Sequence, residues 1–145
     1  MASLVDTNVL VYRHDERDRG KQGRAYEVLR QGVAAGALRI AHQSVIEFVS
    51  ATTRPQRGGA PLLEREEALR EAEELLTVYP VLYPDDEVVR LALRGAAAYG
   101  LSWYDAHLWA CAERFGLDEL ISEDFEHGRM YGTVRVVDPF LEAGP

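Results

Sequence analysis

Short apolar runs alternate with longer amphipathic ones along this 145-residue chain. Ser3-Leu4-Val5 reads as a strand, and Asp6-Thr7-Asn8 punctuates it ahead of a second apolar run, Val9-Leu10-Val11-Tyr12. Tyr26, Val28, Leu29 and Val33 give a mostly apolar face to a helix over Arg24–Ala35, which Gly36 stops. Leu38–Ala41 follows as a strand. Ser44-Val45-Ile46-Glu47 has the form of a capping box and predicts a helix to about Thr53. Two prolines and two glycines in Arg54–Pro61 predict a loop. Leu62–Thr77 reads as a charged amphipathic helix and Val78–Tyr83 as a strand that Pro80 weakens. Pro84-Asp85-Asp86 then starts a helix over Glu87–Tyr99.

The stretch from Leu101 to Phe125 organises the rest. Ser102 is an N-cap with Asp105 three residues on, a capping-box-like pair, and Ala106, Trp109, Ala110 and Ala112 supply the apolar positions. Gly116 ends the helix, and a strand over Leu117–Ile121 runs out at Ser122-Glu123-Asp124. Val134–Val137 is the last strand, closed by Asp138-Pro139. Strands alternating with helices predict an α/β domain with a parallel sheet, one domain over residues 1–145. In such sheets the strand C-terminal ends and the helix N-termini share an edge, where ligands bind.

Four acids fall at that kind of position. Asp6 and Asp124 each follow a strand, while Glu47 and Asp105 each lie in the first turn of a predicted helix. Each has a local explanation. Asp6 reads as an N-cap worth about 1 kcal/mol, Glu47 and Asp105 as halves of capping boxes, and Asp124 as a turn residue. Together they read differently, because every one emerges directly from apolar, core-forming sequence. Helix dipoles offset one or two negative charges at such an edge, but four converging carboxylates call for a cation. An oxygen-only set suits Mg²⁺ or Mn²⁺. Zinc wants His and Cys at ligand spacing, which this chain lacks.

Composition narrows the class further. The hydrophobic fraction of 47% and charged fraction of 28% are those of an ordinary globular protein. No apolar run approaches the roughly 20 residues that span a bilayer. Asp6 interrupts the apolar run a secretory leader would need, so a cytoplasmic protein is expected. The single Cys111 excludes an internal disulfide and reads as a small core residue. A net charge of −8 argues against coating nucleic acid by charge alone. Yet residues 1–60 hold nine Lys/Arg against six Asp/Glu, with Arg13, Arg17 and Lys21 among them. They read either as a solvated helix face or as a basic rim that steers phosphate.

Other chemistries find little support. His42 and His107 are lone histidines that read as structural, and His14 and His127 as loop residues. Neither a Gly-rich phosphate loop nor a G-x-S-x-G elbow is present. Trp103 and Tyr104 are candidates for stacking on a base, for core packing or for a partner interface.

The segments LVDTNVLVY, SVIEF and YGLSWYDAHLWACAERFGLDELISEDF, in this order and spacing, resemble PIN-domain proteins. More narrowly, the chain looks like the VapC-type toxins of toxin–antitoxin pairs, over nearly its whole length. That resemblance implies a PIN-like three-layer α/β/α fold with a central, mostly parallel sheet of about four to five strands. It also implies a Mg²⁺- or Mn²⁺-dependent endoribonuclease whose acidic quartet is Asp6, Glu47, Asp105 and Asp124. Asp6 and Asp105 are expected to hold the principal metal, with Glu47 and Asp124 completing the pocket and a metal-activated water attacking the RNA phosphodiester. Thr7 and Ser122 are expected to orient ligands or water. Glu123 stands beside Asp124 as an alternative for the same role. Arg13, Arg17 and Lys21 are expected to hold either the RNA backbone or an antitoxin segment. A homodimer and a cognate VapB-like antitoxin complete the implied partners.

Two rival readings stand beside this one: a PIN-fold nuclease acting on another nucleic acid, and a catalytically silent binding module. A third takes Asp6 as a phosphoryl-accepting nucleophile. Such a site wants an acid two residues later, where this chain has Asn8.

Overall fold

The computed structural model describes residues 2–141. Residue 1 and residues 142–145, the ends of the predicted domain, lie outside the described residues. In chain order the elements are β1 (Ser3–Val5), α1 (Thr7–Tyr12), α2 (Arg19–Ala34), β2 (Leu38–Ala41), α3 (His42–Thr53) and α4 (Arg65–Val78). They continue with β3 (Val81–Leu82), α5 (Asp86–Tyr99), α6 (Trp103–Arg114), β4 (Glu119–Ile121), β5 (Met130–Tyr131) and β6 (Val134–Val137).

The sheet runs β3-β2-β1-β4-β6-β5 and is parallel except for β5 against β6. Side chains of a strand alternate between faces, and here the alternation builds two cores. Leu4, Ala41, Leu120 and Val136 pack under α5 and α6. Val5, Ile40, Leu38 and Ile121 pack under helices α1 to α4. The fold is therefore the α/β domain that the alternation of elements predicted, in the three-layer α/β/α form that the PIN-domain resemblance implies. From β1 the chain winds outward through β2 to β3, then returns to add β4 on the other side of β1. That reversal is the topological switch point, and it opens a crevice beyond the C-terminal ends of β1 and β4.

Several boundaries differ from the sequence reading. The sheet has six strands, not four to five, because Met130–Tyr131 pairs back on β6 as a short antiparallel edge. The predicted strand over 78–83 shrinks to Val81–Leu82: α4 runs through Val78, and Pro80 contributes only its carbonyl, which accepts from Ile40 N. α2 starts at Arg19, with Asp18 capping through the Lys21 amide. α3 starts at His42, directly off β2, so Ser44 is not its N-cap. The run Val9–Tyr12 is helical. Ser102 caps α6 by accepting from Asp105 N, as its sequence predicts.

α5 and α6 form the most extensive helix pair, and one glycine sets how closely they approach. A Cβ on Gly95 stands 2.4 Å from the Trp109 ring, so only glycine fits there. Trp109 in turn donates from its indole to Tyr131 O at 2.8 Å, which anchors α6 on the sheet with its N-terminus over the crevice.

Candidate metal centre

Three of the four predicted acids converge in the crevice. One carboxylate oxygen each from Asp6, Asp105 and Asp124 lies within 4.8 Å of the other two. Asp6 leaves the end of β1 at the N-cap position of α1, yet its side chain makes no capping hydrogen bond. The carboxylate turns into the crevice and is 3% exposed. The capping explanation of Asp6 therefore fails. Asp105 comes from the first turn of α6, and Asp124 from the loop after β4.

Neighbouring polar groups orient this trio. Ser122 Oγ donates to Asp6 Oδ2 at 2.6 Å and accepts from Asp124 N at 3.0 Å, so one buried hydroxyl ties two of the acids together. Asn8 Nδ2 reaches Asp124 Oδ2 at 3.0 Å and Asp6 Oδ2 at 3.5 Å. Its Oδ1 is buried and has no partner among the described residues. The sequence reading did not assign Asn8 a place in the site. Its signal was the helical character of residues 7–12, which puts Asn8 in the same first turn that Asp6 heads.

Glu47 lines the same groove but stands outside the three-acid cluster. With α3 beginning at His42, Glu47 lies in its second turn and is released from any capping role. Thr7 Oγ1 donates to Glu47 Oε1 at 2.7 Å and sits 2.9 Å from the Ser44 hydroxyl. Gln43, four residues earlier on the same helix face, donates to Glu47 Oε2 at 3.2 Å and to Tyr104 O at 3.0 Å. Gln43 is a second residue whose place in the site the sequence reading did not foresee.

Glu123 points elsewhere. It accepts from Lys21 Nζ and from the Tyr12 hydroxyl, both at 2.7 Å, and the Lys21 ammonium also lies over the Tyr12 and Phe140 rings. So Asp124, and not Glu123, joins the acid cluster. The three basic residues also part company. Lys21 is committed to Glu123, Arg13 borders a different groove between α2 and α4, and Arg17 lines the acidic groove itself. His42 packs against Tyr83 and His107 against Trp103, and neither belongs to the three-acid cluster.

The electrostatics follow from this crowding. Burial pushes the Asp6 carboxyl up to about 7 from its ordinary 3.8, with the Asp124 and Asp105 charges adding to the rise and the Ser122 hydrogen bond opposing it. Burial also raises the Asp105 carboxyl, reinforced by Asp124 and Glu47. A buried acid with two like-charged neighbours holds its proton more tightly than an isolated carboxyl does. The donor set is all oxygen, and its ligand atoms are already gathered, so it fits a hard divalent cation such as Mg²⁺ or Mn²⁺. A soft metal would find no thiolate or imidazole here.

Comparison with known proteins agrees with the architecture. No curated protein sequence matches the chain. A chain of the DNA-bound VapBC structure from Salmonella typhimurium superposes with a TM-score of 0.69 at 15% identity, covering 96% of this chain and 98% of that one. A chain of FitAB bound to a DNA fragment gives 0.69 at 16% identity, covering 98% of each. Mycobacterium tuberculosis VapC20, described as a sarcin–ricin-loop-cleaving toxin, gives 0.66 at 16% identity over 85% of this chain and 90% of that one. At such identities these likenesses establish the fold alone. The sequence profile of the PIN domain family matches residues 3–132, and the chain belongs to that family.

Proposed function

We propose that this protein is a divalent-cation-dependent endoribonuclease and the toxin of a VapBC-type pair, acting as one PIN-like domain over residues 1–145. The observation that carries this reading is the convergence of Asp6, Asp105 and Asp124 at the switch point of a PIN fold. The company of VapBC structures and of a sarcin–ricin-loop-cleaving toxin supports the toxin assignment.

In this reading Asp6, Asp105 and Asp124 hold Mg²⁺ or Mn²⁺. The bound cation supplies positive charge to the phosphodiester and makes water a better nucleophile. Ser122 fixes Asp6 in the rotamer that faces the crevice, and Asn8 does the same for Asp124. Glu47, aimed by Thr7 and Gln43, stands beside the trio to orient or take a proton from the attacking water. The pair of hydrogen bonds on Glu47 leaves its carboxylate fixed before substrate arrives, which is the preorganisation such chemistry needs. A VapB-like antitoxin and a second copy of the chain are the proposed protein partners. No described helix is long and apolar enough to cross a membrane. A cytoplasmic location suits a ribonuclease whose targets are cellular RNA.

The test is cleavage of total RNA by purified protein with Mn²⁺ or Mg²⁺, with EDTA, and with Asp105→Asn. Cleavage that needs the metal and disappears in the variant is the expected result. Cleavage that survives both EDTA and Asp105→Asn sinks the mechanism. Binding of RNA without cleavage in either metal moves the assignment to the binding module, and cleavage of DNA in preference to RNA moves it to the other nuclease reading.

A further inference from the structure

The groove that holds the acids continues well beyond them. It encloses about 710 Å³ and is lined by α3 on one side, by α1 and the segment after it on another, and by Tyr104, Asp105 and Leu108 of α6. On the α3 side Glu47, Ser50, Ala51 and Arg54 line it, the i, i+3, i+4 and i+7 positions of one helix face. At 1.5 Å rise per residue, Arg54 stands about 10 Å further along than Glu47. Between them Ser50 and Ala51 are small and keep the wall open. On the α1 side Asn8, Val11 and Tyr12 lead on to Asp15 and Arg17. Asp6 stands ahead of Asn8 on that side, so each side begins with an acid and ends with an arginine.

Arg17 and Arg54 are the two cations among the residues that line the groove, and both lie at its foot. Arg17 is pre-set. Its Nε and Nη2 each donate to the Asp15 carboxylate at 2.8 Å, its backbone amide donates to the same group at 3.1 Å, and Asp15 is buried. Its Nη1 donates to Gln56 Oε1 at 2.9 Å, and Gln56 Nε2 donates to the carbonyl of Arg54 at 2.9 Å. Gln56 therefore links the two arginine-bearing segments across the foot of the groove. The Arg54 side chain makes no hydrogen bond or ion pair among the described residues. A chain with a net charge of −8 that leaves an arginine unpaired in its acidic groove has placed a cation where an anion can meet it.

We propose that Arg17 and Arg54 form a second phosphate subsite, which grips single-stranded RNA at a phosphate flanking the one held near Asp6, Asp105 and Asp124. The strand lies along α3, from the acid end to the basic end. This rests on the ribonuclease reading and adds to it the path of the substrate. Single-stranded segments are where proteins read RNA most readily, which favours a single strand as the occupant. Arg17 is oriented by its carboxylate partner, while Arg54 supplies the uncompensated charge.

The experiment measures binding of a short, unstructured, fluorescent RNA oligonucleotide to full-length protein over a range of KCl concentrations, in an Asp105→Asn background that blocks cleavage. Arg54→Ala is expected to weaken binding several-fold and to lower the log–log salt slope by about 0.7, the share of one phosphate contact on a single strand. Arg54→Lys is expected to keep the slope. Arg57→Ala, an exposed arginine of the same loop outside the groove, is expected to change neither quantity. Arg17→Gln serves as a second variant, with thermal melting to confirm that the unpaired Asp15 has not unfolded it. In the cleavage-competent protein, Arg54→Ala is expected to raise KM while kcat stays within about twofold, since a flanking contact binds ground and transition states alike.

Equal losses in Arg54→Ala and Arg57→Ala, or an unchanged slope in Arg54→Ala, overturn the subsite even where cleavage is normal. If the wild-type protein cleaves no RNA but binding still depends on Arg54 and not on Arg57, the subsite stands and the catalytic reading falls.

Discussion

The Ser122 hydroxyl lies 2.6 Å from Asp6 Oδ2, although the two residues are 116 positions apart in the chain. Parallel pairing of β1 with β4 brings them together, since both strands end at the Val5–Ile121 pair and Asp6 and Ser122 are the next residues of each. Both groups are buried, so the bond is shielded from water and holds the acid at one orientation.

Replacing Ser122 with alanine removes the donor to Asp6 and the acceptor for Asp124 N in one step. Because both acids stay in place, the expected effect is on their orientation. Divalent-cation affinity should fall about 10- to 100-fold, the usual effect of losing such a partner. Mn²⁺ titration followed by calorimetry reads this directly, and an unchanged affinity would show that packing alone orients the acids.

Asp6 also predicts how the metal-free protein responds to pH. Its carboxyl is raised to about 7 in the fold from 3.8, so the folded state holds this proton more tightly than the unfolded chain does. The stabilisation is complete below about 3.8 and is lost as pH rises through about 7. In EDTA, this group should therefore make the melting temperature lower at pH 8 than at pH 5.5. Asp6→Asn, which can still accept from Ser122, should flatten that difference and raise the melting temperature at pH 8. A variant that unfolds at pH 8 would mean that the ionised carboxylate supports the fold after all.

Asp124 and Glu123 are adjacent and acidic, but the structure gives them different surroundings. Asp124→Asn should abolish metal-dependent cleavage. Glu123→Gln keeps an acceptor for Tyr12 and Lys21, removes only a partly exposed ion pair worth about 1 kcal/mol or less, and should leave kcat within about threefold. The two single variants, assayed side by side on one RNA, decide the matter. Equal loss in both would return Glu123 to the site.

Gly95→Ala tests the support behind Asp105. The added methyl meets the Trp109 ring at 2.4 Å, so α5 and α6 must separate or Trp109 must leave its rotamer. The expected cost is about 1–3 kcal/mol, read as a lower urea midpoint. An unaffected midpoint would mean that the helix pair is less tightly packed than these distances require.

How the sequence relates to this site is clearest residue by residue. The alternation of strands and helices, the cap at Ser102 and the emergence of each acid from apolar sequence are local signals. They depend on a few neighbouring residues, whose periodicity and hydrogen-bonding chemistry act before any tertiary contact forms. The SVIEF and WYDAHLWA segments therefore disclosed both their elements and their acids. Local signals also misled where a tertiary contact outweighed them. Ser44 and Glu47 have the spacing of a capping box, but β2 runs directly into α3, and Thr7 from another helix takes both side chains.

By itself the sequence determined the α/β class and put forward Asp6, Glu47, Asp105 and Asp124 as candidate acids, with Glu123 left open beside Asp124. Only the tertiary structure decided that Asp6, Asp105 and Asp124 meet while Glu47 stands beside them, that Asp124 and not Glu123 joins the cluster, and that Arg17 lines the groove while Arg13 does not. The physical reason is that these outcomes depend on strand order and on the direction each side chain takes as its strand or helix ends. Both are set by packing across the sheet, between residues far apart in the chain.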